Sequence, residues 1–306
     1  MENTNTGFGI QPTQLGDRFV QKDGTFNIRK EGISYWRRTS LYSSMLQLSW
    51  LQFLGFIFVI YFVVCMMFTL LYWWIDLKQF TGLVSTTPMS SIWELFFFST
   101  QTFTTVGYGR INPVGTLANS IASIQAMSGW LFFALVTGLL YGRFTRPSAF
   151  LAFSHNALIS PYQGGLALMF RLVPYKSHHH LTDAKIVVNL ARVESLDTKT
   201  EYKFYQLNLE RSQIDFLSMN WTVVHPIDEN SPLFNTSTEA MRAADTELYV
   251  QVSGFDPIFS NTVMQRTSYT SAEVIWNAKF LPMYRESEDG STTIVKVDKL
   301  NQYELL

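Results

Sequence analysis

The sequence predicts a helical membrane part, two spanning helices with a half-length helix between them, joined to a C-terminal all-β sandwich. Three observations carry this. No Asp, Glu, Lys or Arg occurs from Thr39 to Ile75 or from Ile111 to Gly142, and each window exceeds the roughly 20 helical residues that cross a hydrocarbon core. Between them, "SSIWELFFFSTQTF" (residues 90–103) is strongly apolar and aromatic but too short to cross. From about Phe150 onward, short alternating or β-branched runs recur between turn signals, the pattern of a sandwich. The chain accordingly divides into an N-terminal segment (1–32), a membrane part (33–147) and a β domain (148–306).

Composition excludes several classes. A net charge of −1 over 306 residues provides no basic field for nucleic acid. One cysteine, Cys65, makes no internal disulfide and no zinc or iron–sulfur site; inside an apolar window it reads as a small packing residue. The first window starts too far from Met1 and runs too long for a cleaved signal peptide.

Taken in order, residues 1–30 are polar and rich in Asn, Thr, Gln and Gly, with no pattern for a packed element. In "GISYWRRTSLYSSMLQLSW" the residues Tyr35, Trp36, Leu41, Tyr42 and Met45 fall near helical spacing. This predicts a short amphipathic helix at the membrane surface, with Arg37 and Arg38 at phosphate depth; a plain positive anchor is the alternative. The first span, Leu51 to Tyr72, ends in an interfacial Trp73–Trp74 pair. After a polar loop, the half-length helix opens at Ser90 or Ser91 with Glu94 completing a capping box. The second span runs from about Leu117 to Tyr141 and stops at "GRFTRP". Arginines lie before span one and after span two, which places both chain ends on the cytoplasmic side.

The hexapeptide "TTVGYG" (104–109) directly follows the half-length helix. Non-helical backbone at membrane depth is tolerated only where it lines a watery cavity or is buried in protein, so a re-entrant helix delivering such a segment indicates a pore. Gly107 and Gly109 can take positive φ, which lets successive carbonyls point toward one axis. The segment resembles the selectivity filter of potassium channels, in which four copies stack rings of carbonyl oxygens in place of the ion's water shell. That resemblance implies potassium sites at Thr105, Val106, Gly107 and Tyr108, bounded by Gly109. It also implies Tyr108 packing on pore-helix aromatics such as Trp93.

Beyond the filter, "KDGTFNI", "FFFSTQTFTTVGYGRINPVG", "YGRFTRPSAFLAFS", "WTVVHPIDENSPL" and "EVIWNAKF" resemble the inward-rectifier potassium channels, in their prokaryotic branch. The resemblance covers about residues 22–281. It implies a homotetramer in the plasma membrane with an immunoglobulin-like cytoplasmic domain, along which "KDGTFNI" would lie. It implies no enzymatic chemistry and no cofactor beyond potassium ions in the filter. Anionic lipids would meet Arg37, Arg38, Arg143 and Arg146, with plain positive-inside anchoring as the alternative for each. On the inner helix, Gln125, Gly129, Phe133, Thr137 and Tyr141 follow at four-residue steps. The resemblance makes that face the pore lining, with Gln125 in the cavity, Gly129 at a flex point, and Phe133 and Tyr141 at the gate.

Two departures from the family stand out. Strong rectifiers carry a cavity acid that retains polyamines or Mg2+; Phe133 occupies that position, so weak intrinsic rectification is expected, and Ba2+ remains an expected blocker. Gln101 stands where many relatives have a pore-helix Glu, so Arg110 lacks that partner and the outer filter must be supported differently. Two rival readings are a two-span channel gated by a cytosolic ligand of another fold and a membrane-anchored β-sandwich adaptor. Among smaller signals, His178 to His180 read as solvated strand or turn residues rather than a metal site, with pH sensing as the alternative. His225 reads as structural. Asn220 and Asn235 fit a glycosylation pattern on a side of the membrane where it would not be used.

Overall fold

A computed structural model describes residues 18–32, 34, 40–84, 87–196 and 199–306. It comprises two compact units, residues 31–146 and residues 1–30 with 147–306. Arg37 and Arg38 lie outside the described residues.

The first unit is helical. Helix α1 (Leu41–Gln47) is capped at Ser40, whose side chain accepts from the Ser43 amide. The outer helix α2 (Trp50–Trp74) starts at a capping box in which Ser49 and Gln52 bond each other's backbone. With 25 residues at 1.5 Å each it is about 37 Å long, and the inner helix α4 (Thr116–Phe144, 29 residues) about 43 Å. Both are apolar enough to span a bilayer, with most of their side chains exposed on the isolated protomer. Between them, helix α3 (Pro88–Phe103, 16 residues) reaches only about 24 Å, shorter than the core.

The start of α3 corrects the sequence reading. Its cap is Thr87, paired with Ser90 in a capping box and followed by Pro88 at the first helical position, where proline's missing N–H costs nothing. Ser90 is therefore the third helical residue rather than the cap, and the capping box pairs Thr87 with Ser90 instead of Glu94. Strands β1 (Phe80–Thr81) and β2 (Asn112–Pro113) pair antiparallel and join the two loops that flank α3.

The second unit is a two-sheet sandwich. One sheet orders β11 (Asn261–Thr270), β10 (Glu247–Asp256), β6 (Leu181–Leu196) and β7 (Lys199–Gln206), with β8 (Gln213–Leu217) also on β6. The other orders β12 (Val274–Trp276), β4 (Ala157–Tyr162), β5 (Gly165–Pro174) and β3 (Leu151–Phe153), with β9 (Trp221–Ile227) on β5. Alternate residues of β6 (Ile186, Val188, Leu190) and of β5 (Leu168, Phe170, Leu172) are buried in one shared core. This period-two burial follows from strand geometry, which sends successive side chains to opposite faces.

Residues 18–28 pack on this unit, as the resemblance implies for "KDGTFNI" (residues 22–28). Val20 is buried against Ala191, Phe204 and Tyr249. The Lys22 ammonium donates to the carbonyls of His155 (2.8 Å) and Ser268 (3.0 Å) and sits over the Tyr269 ring. The Phe19 amide donates to Glu247 (3.1 Å), and Arg18 pairs with Glu273.

Candidate functional site

The end of α3 shapes the hexapeptide. Helix α3 stops at Thr104, and Thr105 then enters the left-handed region at φ +59°. The Thr105 amide donates to Thr102 O (3.1 Å) and the Val106 amide to Gln101 O (2.9 Å). Those two bonds are the paired helix stop that usually employs glycine at the left-handed position. Here a threonine occupies it. Left-handed φ then recurs at Gly107 (+53°) and Gly109 (+80°), while Val106 and Tyr108 between them remain at negative φ. Alternating positive and negative φ turns successive peptide planes away from the strand pattern in which carbonyls alternate sides, which suits a row of carbonyls facing a cation.

The segment is exposed on the protomer: Val106 at 53% and Tyr108 at 79%. Tyr108 thus does not pack on Trp93 within the chain, because Trp93 rests on Phe96 and Phe97 along its own helix.

Beyond the hexapeptide the chain is secured by side-chain contacts. The Arg110 guanidinium lies 3.0 Å from Glu94 of α3, and the other Glu94 oxygen accepts from the Val84 amide (3.1 Å). The Asn112 amide group donates to Gly109 O (2.7 Å). Arg110 has no acid at position 101, as the sequence indicates, but it takes Glu94 as its partner instead.

The inner-helix expectation is corrected at its upper end. Gln125 is fully buried rather than facing a cavity. Its side-chain oxygen accepts from the Tyr72 hydroxyl of α2 (2.5 Å), and its amide nitrogen donates to Ser99 Oγ (2.6 Å) and Ser99 O (3.0 Å) of α3. Gly129 is buried too, with its α-carbon face against the Phe103 carbonyl. Both residues clamp α4 onto α3. Four-residue steps drift about 40° each, so Tyr141 lies about 160° around the helix from Gln125. The five positions therefore do not share a face. Phe133 (45% exposed), Thr137 and Tyr141 (70% exposed) lie on the open side of the protomer.

Arg143 is also corrected. Its guanidinium donates to Met45 O (2.7 Å) and Leu48 O (2.8 Å) and lies over the rings of Trp50 and Phe53. Its two terminal nitrogens tie the inner helix to the end of α1 rather than facing lipid headgroups. Arg146 is exposed.

The histidine run behaves differently from a solvated turn at one position. His179 pairs with Asp256 (2.8 Å) and packs between Phe150 and Phe259. Burial works to raise the Asp256 carboxyl, yet the bonds from His179 and from the amides of Ile258 and Phe259 outweigh it and hold the group below its usual range. His225 is structural: its ring nitrogens face Asn208 O (2.6 Å) and Ser231 Oγ (2.8 Å), and burial lowers its pKa. Cys65 is buried beside Phe96 and Phe103, as a packing residue would be. Among the described residues no group of His, Cys, Asp and Glu is arranged to hold a metal ion.

Three features had only faint sequence signals. Tyr72 and Gln125 are polar groups inside apolar spans, where an unpaired polar group is costly and a partner is expected. The Glu94–Arg110 pair spans 16 positions, and nothing in the spacing announces it. Left-handed Thr105 has no signal beyond its place at a helix end.

Comparison with known proteins agrees with this geometry. Residues 151–305 match the inward rectifier potassium channel C-terminal domain, and residues 56–146 match the ion channel family. The chain is 32% identical to the inward rectifier potassium channel Kirbac3.1 of Paramagnetospirillum magnetotacticum, over 92% of this chain and 94% of that one. It is 25% identical to inward rectifier potassium channel 4 of Mus musculus, over 94% of this chain and 72% of that one. It is 27% identical to G protein-activated inward rectifier potassium channel 2 of Mus musculus, over 89% of this chain and 68% of that one.

Proposed function

This chain belongs to the inward-rectifier potassium channel family, and we propose which of its residues pass, select and gate the ion. It is a membrane protein that conducts potassium passively and performs no enzymatic step. The match of residues 151–305 to the family's own C-terminal domain answers the rival reading of a ligand domain of another fold.

The filter is Thr105 to Gly109. The Thr105 hydroxyl and the carbonyls of Thr105, Val106, Gly107 and Tyr108 replace the hydration shell of a potassium ion. The observation that carries this assignment is the alternation of left-handed residues at 105, 107 and 109, mounted on the C-terminal end of a helix too short to span. That helix end directs its partial negative charge toward a cation below the filter.

A single copy cannot surround an ion with such a row, so the working unit is a homotetramer. The exposure of the non-helical chain at Val106 and Tyr108 on the protomer supports this, because backbone polar groups at that depth need partners. Phe133, Thr137 and Tyr141 form the free face of the inner helix and its gate. Arg146, with Arg37 and Arg38, meets anionic headgroups on the cytoplasmic side of the plasma membrane, where both chain ends lie.

Protein in liposomes is expected to take up ⁸⁶Rb+ in a barium-sensitive manner, and tetrameric protein that takes up none would overturn the reading. Since Phe133 leaves the cavity without an acid, micromolar spermine is expected to leave outward current in planar bilayers nearly unaltered. Steep voltage-dependent block would contradict that expectation. Flux measured against anionic-lipid content tests the arginines, which lose their assignment if lipid charge changes nothing.

A further inference from the structure

We propose that Glu94 is a selectivity-positioning residue: through Arg110 it holds the outer end of the filter. The inference rests on reading Thr105–Gly109 as that filter.

The filter backbone is fixed at its inner end by Gln101 O, which accepts from Val106 (2.9 Å) and Gly107 (3.3 Å). Rings of carbonyls discriminate between ions only if both ends of the strand are secured, because a loose outer end lets the upper carbonyls turn to suit a smaller ion. The residue that leaves the filter is Arg110, and its charge is tethered to Glu94 at 3.0 Å. Glu94 is the more enclosed partner, with its side chain 16% exposed against 53% for Arg110. Its second oxygen accepts from Val84 (3.1 Å), so one carboxylate joins three pieces: α3, the loop before it and the strand leaving the filter.

The close fit around Arg110 strengthens the same end. Gly82 lies so near the Arg110 carbonyl that a Cβ there would overlap it. Asn112 donates to Gly109 O (2.7 Å), and β1 pairs with β2 directly behind. Arg110 is thereby held by charge at its side chain and by packing at its backbone.

Position 101 is a neutral Gln in this chain, so the counter-charge comes from two helical turns earlier on the same helix. Exposed ion pairs alone contribute little. Here only Glu94 is enclosed, but both of its carboxylate oxygens are hydrogen-bonded, and the pair is present in four copies around a single ring of the proposed tetramer. Its effect on ion choice is therefore larger than its effect on the stability of one chain.

The experiment is paired ⁸⁶Rb+ and ²²Na+ uptake into liposomes, with assembly followed by size exclusion. The proteins are wild type, Glu94→Gln, Arg110→Gln and the exchange Glu94→Arg with Arg110→Glu. Each single change is expected to lower the Rb+ to Na+ ratio roughly two- to fivefold, in keeping with the upper range for an ion pair near the surface, and the exchange to recover part of that loss. A tetrameric Glu94→Gln with the wild-type ratio overturns the proposal. Should that variant not assemble, Arg110→Gln carries the test, since it leaves the Glu94–Val84 bond in place. An exchange that recovers nothing also counts against the pair. Wild-type vesicles that admit neither ion defeat the filter assignment itself, whereas wild-type uptake with unaltered variant ratios defeats only the role of Glu94.

Discussion

Gly107→Ala is expected to reduce ⁸⁶Rb+ flux by more than about a hundredfold while the protein still assembles. No atom of the protomer lies within 4 Å of a Cβ built at Gly107, so the change meets no local steric block. The penalty lies in the backbone. Gly107 sits at φ +53°, and a left-handed L-residue costs roughly 1–2 kcal/mol. Four alanines in one ring together cost roughly 4–8 kcal/mol, against about 1.4 kcal/mol for each tenfold change in a conformational equilibrium. The ring then relaxes by turning its carbonyls, and the ion loses its replacement shell. Thr105 meets the same penalty at φ +59° because it doubles as the stop of α3, where the amides of Thr105 and Val106 find helix carbonyls. Gly107 has only the longer 3.3 Å bond to Gln101 O. Size exclusion of detergent-extracted protein together with flux separates the cases: a tetrameric variant with flux within threefold of wild type would refute the backbone account.

Much of this was visible in the sequence, because membranes impose simple rules. A charge-free window longer than a bilayer leaves little choice but a spanning helix, and the helices begin and end within about three residues of the predicted spans, Leu51 to Tyr72 and Leu117 to Tyr141. The half-length helix follows from its length alone. The sandwich follows from two-residue alternation. Side-chain destinations were harder. The family resemblance makes Gln125 and Gly129 pore-facing, yet their contacts with Ser99 and Phe103 show that they face α3. Periodicity gives relative angles and not the absolute direction of a face, which only a packed partner sets. Arg143 looks like a headgroup ligand by charge and depth. Its two terminal nitrogens donate to carbonyls at the end of α1, and that engagement depends on three-dimensional proximity across some 95 positions. The Glu94–Arg110 pair is illegible for the same reason: ion pairs between separate elements leave no period.

Gly129→Ala distinguishes the two readings of the inner helix, and a loss of both stability and flux is expected. A hinge glycine is needed for flexibility, so alanine there would leave a stable tetramer with altered opening. A packing glycine is needed for proximity. At Gly129 an added Cβ would overlap the Phe103 carbonyl oxygen and lie 2.9 Å from its carbon, both backbone atoms of the last turn of α3. Neither can swing aside as a side-chain tip could, so α4 must shift away from α3, at about 1–3 kcal/mol per subunit by the usual cost of overpacking. The shift would strain the Phe103–Phe132 contact (5.4 Å between centroids) and the Gln125–Ser99 bonds one turn earlier. It would also move the mount of the filter, since Thr104 and Thr105 follow Phe103 directly. The comparison is Gly55→Ala on α2, where no atom lies within 4 Å of the new Cβ and the higher helix propensity of alanine should be neutral or slightly stabilising. Thermal unfolding of the detergent-solubilised tetramer, read beside ⁸⁶Rb+ uptake, decides the matter. A Gly129→Ala protein as heat-stable as Gly55→Ala, with only its opening altered, would restore the hinge; a lower melting point with flux lost fixes Gly129 as the point where the inner helix bears on the base of the filter.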